Sequence, residues 1–126
     1  MNNQNLSDKL ELSAILARMA DLIEFQGIKL TSVNDRGILG DTPLHIAAVS
    51  GDVKVGKILL DAGADPNVHG EYGNTALHEA VGQKNFEFVK LLLTHGASTE
   101  LRNEDGLTAV DLAKLSEDAR FKEVFS

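Results

Sequence analysis

The sequence predicts an all-α solenoid, in which short helix–turn–helix units stack side by side and are joined by hairpin-like loops. Two observations predict it. A segment of 33 residues recurs along the chain, with similar tetrapeptides at 42–45 (TPLH), 75–78 (TALH) and 108–111 (TAVD). Within each segment, apolar residues recur at the spacing of two amphipathic helices. One such unit cannot bury its apolar face alone, so this periodicity is typical of a stacked array.

The repeat is clearest in the middle of the chain. Aligning 37–69 with 70–102 without a gap gives 11 identities in 33 positions, where unrelated sequences would give about two. We expect one domain over 6–126, within a chain divided into a divergent N-terminal capping repeat (1–36), two full repeats (37–69 and 70–102) and a C-terminal capping repeat (103–126).

The first element is predicted from apolar residues at helical spacing before the first full repeat. They indicate a capping helix or a helix pair over Ser7–Gln26, although the TPLH tetrapeptide has no counterpart there. Terminal units of solenoids are expected to be atypical because their outer face meets water. One helix and a full divergent repeat both remain open.

Each full repeat then predicts two helices and a loop. Thr42 can cap the first helix, Pro43 suits its first position, and Gly51 ends it. Gly63 ends a second helix, and the Gly-rich stretch up to Gly73 predicts a hairpin-like turn. The apolar faces of the two helices are formed by Leu44, Ala47 and Ala48, and by Val55, Ile58 and Leu59.

Two residues depart from the pattern. Gly56 lies inside a second helix, where Val89 stands one repeat later. Glycine in a helix costs roughly 0.5–1 kcal/mol relative to alanine, so we expect Gly56→Ala to raise the melting temperature unless the backbone approaches a neighbour there. Lys84 replaces the helix-ending Gly51, and we expect Asn85 to supply that turn.

This pattern resembles the ankyrin-repeat family. The hexapeptide at 42–47 (TPLHIA) matches the family signature, and 63–67 (GADPN) resembles its loop. The resemblance is strong over 37–102, fair over 103–126 and weak before 37. It implies an ankyrin-repeat solenoid that binds other proteins through a concave face, formed by hairpin tips and inner helices.

The composition excludes several classes of protein. Twelve basic residues stand against 19 acidic ones, for a net charge of −7. Such a chain is poorly suited to nucleic acid or to an anionic membrane surface. It is suited to a basic protein partner, although solubility alone also explains the acidity. There is no Cys and no signal-peptide pattern, so we expect a cytoplasmic protein.

Little in the sequence suggests chemistry. His45 and His78 lie one repeat apart and could form a metal pair, with Asp111 as a third ligand. Alternatively each imidazole hydrogen-bonds loop backbone, which is the role that the ankyrin resemblance implies. No nucleophile, base and orienting group stand in a recognisable arrangement. We therefore expect no enzyme, no cofactor and no metal site.

The resemblance places a protein-binding site on the hairpin tips and on the exposed ends of the first helices. The predicted site residues are Ile38, Leu39, Asp41, Val49, Ser50, Glu71, Tyr72, Asn74, Gln83, Glu104, Asp105 and Leu107. Exposed apolar tips are candidate anchors, and Tyr is enriched at binding hot spots. Alternatively, Ile38 and Leu39 pack against the N-terminal segment.

Together these features predict a monomeric, non-catalytic protein-binding module whose face is acidic around an apolar centre. A small, acidic module of this kind resembles inhibitors and immunity proteins, which neutralise a basic partner stoichiometrically. The alternative is an adaptor or regulatory subunit that recruits an enzyme or a transcription factor, whose binding would tolerate salt.

Overall fold

The computed structural model describes residues 3–28 and 30–125, and the two ends of the predicted range 1–126 lie outside them. The described chain forms α-helices and 3₁₀ turns and contains no strand, so the predicted all-α class is confirmed. The helices are α1 (Asn3–Ala20), α2 (Pro43–Ser50), α3 (Val53–Asp61), α4 (Ala76–Gly82), α5 (Phe86–Thr94), α6 (Ala109–Ser116) and α7 (Arg120–Val124). The 3₁₀ turns are Ile23–Phe25 and Glu71–Gly73.

Three loops of the same shape precede the inner helices α2, α4 and α6. Each is closed by one hydrogen bond between the first and fifth residues of the loop. The amide of Gly37 donates to the carbonyl of Asp41 at 2.7 Å, and the loops at 70–74 and 103–107 repeat this bond at 2.7 and 2.9 Å. The predicted hairpin-like loops are therefore turns without strands, and we call them tip 1 (37–41), tip 2 (70–74) and tip 3 (103–107).

The predicted N-caps are present at Thr42, Thr75 and Thr108. In each case the threonine amide donates to the side chain three residues later, at 3.0 to 3.1 Å. That side chain is His45, His78 or Asp111. A polar residue at this position satisfies a backbone donor that would otherwise be unpaired at the helix start.

The helices stack in two rows. The inner row contains α2, α4 and α6, and the outer row contains α3, α5 and α7, with α1 packed beside α3. Equivalent residues of successive repeats fill the core: Leu44 and Leu77 in the inner row, and Leu59 and Leu92 in the outer row, have almost no exposed surface. Small residues such as Ala47 let the inner helices approach closely.

The N-terminal segment contains one long helix, α1, and a 3₁₀ turn. Of the two possibilities that the sequence left open, one helix or a full divergent repeat, the structure has the single helix. Helix α1 runs opposite to α3, because its Leu12 lies beside Ile58 near the end of α3 and its Arg18 lies beside Asp52 at the start. By contrast, α3 and α5 run in the same direction. Asp61 at the end of α3 therefore reaches His95 after α5, at 3.5 Å.

The exception stated for Gly56→Ala applies, because a side chain of the next repeat approaches the backbone at Gly56. A Cβ atom at Gly56 would lie 2.5 Å from Cε2 of Phe88 and 2.6 Å from its Cζ. The ring of the next repeat therefore occupies the space of the missing side chain. Close approach of α3 and α5 requires glycine here.

The expectation for the turn after α4 is also wrong. Lys84 itself adopts the left-handed conformation with φ 57°, as Gly51 does at the equivalent position of the first repeat. Asn85 instead reaches back to the preceding repeat, where its Nδ2 donates to the carbonyls of Ala48 at 2.8 Å and Val49 at 3.3 Å. The side chain thus ties two repeats together, while the backbone of Lys84 makes the turn.

Candidate protein-binding surface

The three tips are joined to each other by hydrogen bonds. The amide of Ile38 in tip 1 donates to the carbonyl of Glu24, at 2.8 Å. The amide of Glu71 in tip 2 donates to Oδ1 of Asp41, at 2.9 Å. The amide of Glu104 in tip 3 donates to the carbonyl of Tyr72, at 3.0 Å. The tips therefore form one continuous edge, anchored to the N-terminal segment.

Most of the predicted site residues are exposed, but they differ in their contacts. Those with exposed side chains are Ile38, Leu39, Val49, Ser50, Tyr72, Gln83, Glu104 and Asp105, whereas Glu71, Asn74 and Leu107 are half-buried and Asp41 is buried. The expectation that Asp41 is an exposed tip residue is wrong, since only 8% of it is exposed. Its carboxylate is used as the acceptor that tip 2 needs.

The apolar tip residues project into solvent. Ile38 is 62% exposed, Leu39 is 52% exposed and Tyr72 is 67% exposed. Both aliphatic side chains thus keep more than half of their surface in solvent, while the backbone of tip 1 bonds to the N-terminal segment through the Ile38 amide. Three large apolar side chains on one edge, each more than half exposed, are not required by the core.

Tyr72 is also held in a backbone conformation that non-glycine residues rarely adopt. Its φ is 58° and its ψ is 19°, which lies in the left-handed region. The bond from the Glu104 amide to its carbonyl fixes this orientation. An aromatic residue kept at a strained and exposed position suggests a role outside the fold.

Two of the half-buried site residues are engaged within the protein. Asn74 donates from Nδ2 to Oε1 of Glu79 at 3.1 Å and accepts from Nδ2 of Asn103 at 3.0 Å. The carbonyl of Leu107 accepts from Nε2 of His78 at 2.8 Å. These polar groups of Asn74 and Leu107 therefore bond within the protein and hold the tips in place.

Carboxylates concentrate around the first two tips. Burial raises the pKa of Glu24, and the negative charges of Asp41 and Glu71 raise it further. Burial likewise raises the pKa of Glu79, with the same two charges adding to it and the Asn74 hydrogen bond opposing it. The Oε1 atom of Glu24 is buried without a hydrogen-bond partner. Four carboxylates thus meet around the first two tips, and the guanidinium of Arg36, whose Nε donates to the carbonyl of Gly40 at 2.9 Å, offsets part of their charge.

The two buried imidazoles link repeats. Since Nδ1 of His45 accepts from the Thr42 amide, its proton lies on Nε2, which donates to the carbonyls of Val68 and Asn74, each at 3.0 Å. His78 makes the same link to tip 3. Burial lowers the pKa of both imidazoles. The structural interpretation is therefore confirmed, and the described residues hold no group of three acidic or His side chains suited to a metal ion.

A second row of exposed residues lies at the other end of the inner helices. Val49, Ser50 and Gln83 stand there, separated from the tips by one helix length of about 12 Å. Sequence reasoning missed Leu115, the counterpart of Val49 in the third repeat, although it is 68% exposed. The repeat spacing of 33 residues, applied twice from Val49, would have found it.

No helix in the described part of the chain is long and apolar enough to cross a membrane. A family model for ankyrin repeats, comprising three copies, matches residues 12–103 and also 64–118. The chain belongs to the ankyrin-repeat family. Its ankyrin repeats make it a protein–protein interaction module, and repeats of this family are in general non-catalytic.

One curated relative supports the same assignment. A putative ankyrin repeat protein from Rickettsia bellii (strain RML369-C) is 42% identical to this chain over 53 residues. The match covers 42% of this chain but only 8% of the length of that protein. The likeness therefore spans a small part of that larger protein and carries nothing about the rest of it.

Proposed function

We propose that this ankyrin protein binds a basic surface of a partner protein through its three tips, stoichiometrically and without catalysis. The observation that carries the proposal is the joined edge of tips, on which Ile38, Leu39 and Tyr72 are exposed among carboxylates. The predicted monomeric state and cytoplasmic location belong to this proposal.

The apolar tip residues would supply most of the binding free energy. Interfaces are dominated by a few aromatic and large apolar anchors, which lose water on binding. Tyr72 suits this role because its rigid ring loses little conformational entropy and its hydroxyl can still bond to a wet rim. Its backbone is already fixed by tip 3, so the loop need not be ordered on binding.

The acidic residues would supply selectivity and a fast encounter. Glu104 and Asp105 are exposed and Glu71 is half-buried, and all three lie on the edge that carries Tyr72. Complementary potentials raise association rates and disfavour partners of the same charge. Asp41, Glu24 and Glu79 lie deeper and reinforce the negative potential of this edge.

From this surface we infer a specific function: the protein inhibits its partner, as an immunity protein does. Binding would cover the basic surface of the partner and block access to it. The alternative is an adaptor that recruits an enzyme or a transcription factor. The two are separated by assaying the activity of the captured partner: an inhibitor abolishes it at one equivalent, and an adaptor leaves it intact.

The first experiment is affinity capture from the source cells, read by mass spectrometry, with the wild type beside a Tyr72→Ala, Glu71→Lys variant. We expect a basic protein that the wild type captures and the variant loses. A partner retained equally by both would place the binding site elsewhere on the molecule.

The electrostatic part is then tested by titrating that partner. The triple variant Glu71→Lys, Glu104→Lys, Asp105→Lys should weaken binding at least about tenfold and flatten its salt dependence. A matched triple, Glu11→Lys, Glu87→Lys, Glu100→Lys, makes the same change in net charge at exposed residues that are not part of the tips. Equal affinity of the two triples would contradict the proposal.

A further inference from the structure

The C-terminal end of the solenoid contains an apolar cleft of about 670 Å³ between α6 and α7. Its floor is formed by Val110, Ala113, Phe121 and Phe125. All of its lining residues lie within 110–125. The size and apolar lining are those of a site that takes up a ligand or a side-chain cluster.

This floor repeats a surface that the earlier repeats bury. Val110 is the counterpart of Leu77, and Phe125 is the counterpart of Leu92. Leu77 and Leu92 have no exposed surface, because α6 covers α4 and α7 covers α5. Val110 and Phe125 are partly exposed. The cleft therefore continues the interface between repeats by one step, and its shape is that of a surface on which a helix packs.

The walls of the cleft differ in charge from the rest of the chain. Lys114 and Lys122 stand where the preceding repeat has the buried Val81 and Val89, and both are exposed beside the floor. A capping unit needs polar residues here because its outer face meets water, but acidic residues would serve that purpose equally well.

The two acidic residues of the cleft offset this charge only in part. The carboxylate of Asp118 is held by Arg120, with Nη2 and Oδ2 at 2.7 Å, and Lys84 approaches it at 3.8 Å. That leaves Glu117 against the two lysines. In a chain of net charge −7, this is a local basic rim around an apolar floor.

We propose that this cleft docks one amphipathic helix of a partner protein, whose apolar face is edged by acidic side chains. The apolar face would cover Val110 and Phe125 as the next repeat covers their counterparts. The acidic edges would meet Lys114 and Lys122. This site is independent of the tips, since it lies on another face and selects a partner of opposite charge.

The test uses two synthetic helical peptides with the same leucine and phenylalanine face, one edged by glutamates and one by lysines. Each is titrated into the isotopically labelled chain, and the amide chemical shifts are followed by NMR. We expect the glutamate-edged peptide to shift the amides of Lys114, Lys122 and Phe125 while leaving the tips unchanged. It should bind at least about tenfold more tightly than the lysine-edged peptide.

Charge reversal provides the second arm. Lys114→Glu, Lys122→Glu should abolish or invert the preference between the two peptides. The matched variant Lys54→Glu, Lys90→Glu, on exposed positions of α3 and α5, should retain it. Circular dichroism shows whether each variant is folded. If a variant is unfolded, the comparison of the two peptides on the wild-type protein still decides the question.

Three results would overturn the proposal. They are no binding of either peptide, equal binding of both, or shifts confined to the tips. In each case the lysines serve only as a solubilising end of the array, and the tip proposal is unaffected because its own titration uses a different surface.

Discussion

The two full repeats build the same pair of helices with different residues in contact. In the first repeat Gly56 leaves room for the ring of Phe88, and in the second repeat Val89 occupies the same position and is fully buried. The preceding position is valine in the first repeat (Val55) and phenylalanine in the next two (Phe88 and Phe121). The comparison shows that equivalent outer-helix positions pack differently in successive repeats, although the following repeat presents a phenylalanine in both cases.

The buried imidazoles extend the comparison to the third repeat. His45 and His78 each donate to a loop carbonyl of the following repeat, that of Asn74 and that of Leu107. At the equivalent position Asp111 keeps only the bond to its own cap, from the Thr108 amide at 3.0 Å. Histidine thus stands at the two positions whose side chain reaches the carbonyl of a following tip, whereas Asp111 bonds at the start of its own helix.

The largest effect is expected from exchanging the residue types at two equivalent positions, 78 and 111, which hold the histidine and the aspartate. His78→Asp keeps the cap on α4 but leaves the carbonyl of Leu107 without its donor and opens space in the core. We expect it to reduce the free energy of unfolding by about 2–3 kcal/mol. Asp111→His should change it by less than about 0.5 kcal/mol. Urea unfolding followed by circular dichroism measures both, and equal losses would refute the role assigned to the link.

A smaller effect is expected from placing a side chain at Gly56. Gly56→Ala gains helix propensity but forces the new methyl group into the ring of Phe88, so we expect a net loss of about 1–2 kcal/mol. In a Phe88→Leu background the same substitution should be less harmful, since the ring is gone. Thermal unfolding of the four proteins gives the coupling energy. A higher melting temperature for Gly56→Ala alone would show that α3 and α5 separate without loss.

The smallest effect concerns the turn between the two helices of a repeat. Lys84→Gly relieves a left-handed backbone and should stabilise the protein by about 1 kcal/mol, because the contact that Lys84 makes with Asp118 is long, at 3.8 Å, and is worth little. At the equivalent Gly51 a Cβ would lie 2.9 Å from the Asn85 side chain, so Gly51→Ala should destabilise. We therefore expect Lys84→Gly to raise the melting temperature and Gly51→Ala to lower it. Shifts of the same sign would show that the two turns do not differ in this way.

Local signals predicted much of this molecule. The threonine caps and the terminating Gly51 follow from short stretches of sequence, the structural role of His45 follows from the ankyrin resemblance, and all are present. The direction of α1 was not predictable, because amphipathic spacing shows which face of a helix is buried and not which way it runs on its neighbour. The burial of Asp41 was missed because its partner is the Glu71 amide, 30 residues away.

The sequence by itself determined that this chain is a stacked array of helix pairs, because a period of 33 residues repeats caps, apolar faces and turns together. It also determined the family and the acidic character. Only the tertiary structure decided which residues face solvent and which are used between repeats. Burial of Asp41 and the contact of Phe88 with the backbone at Gly56 both depend on what the neighbouring repeat places against them, and no local pattern records that.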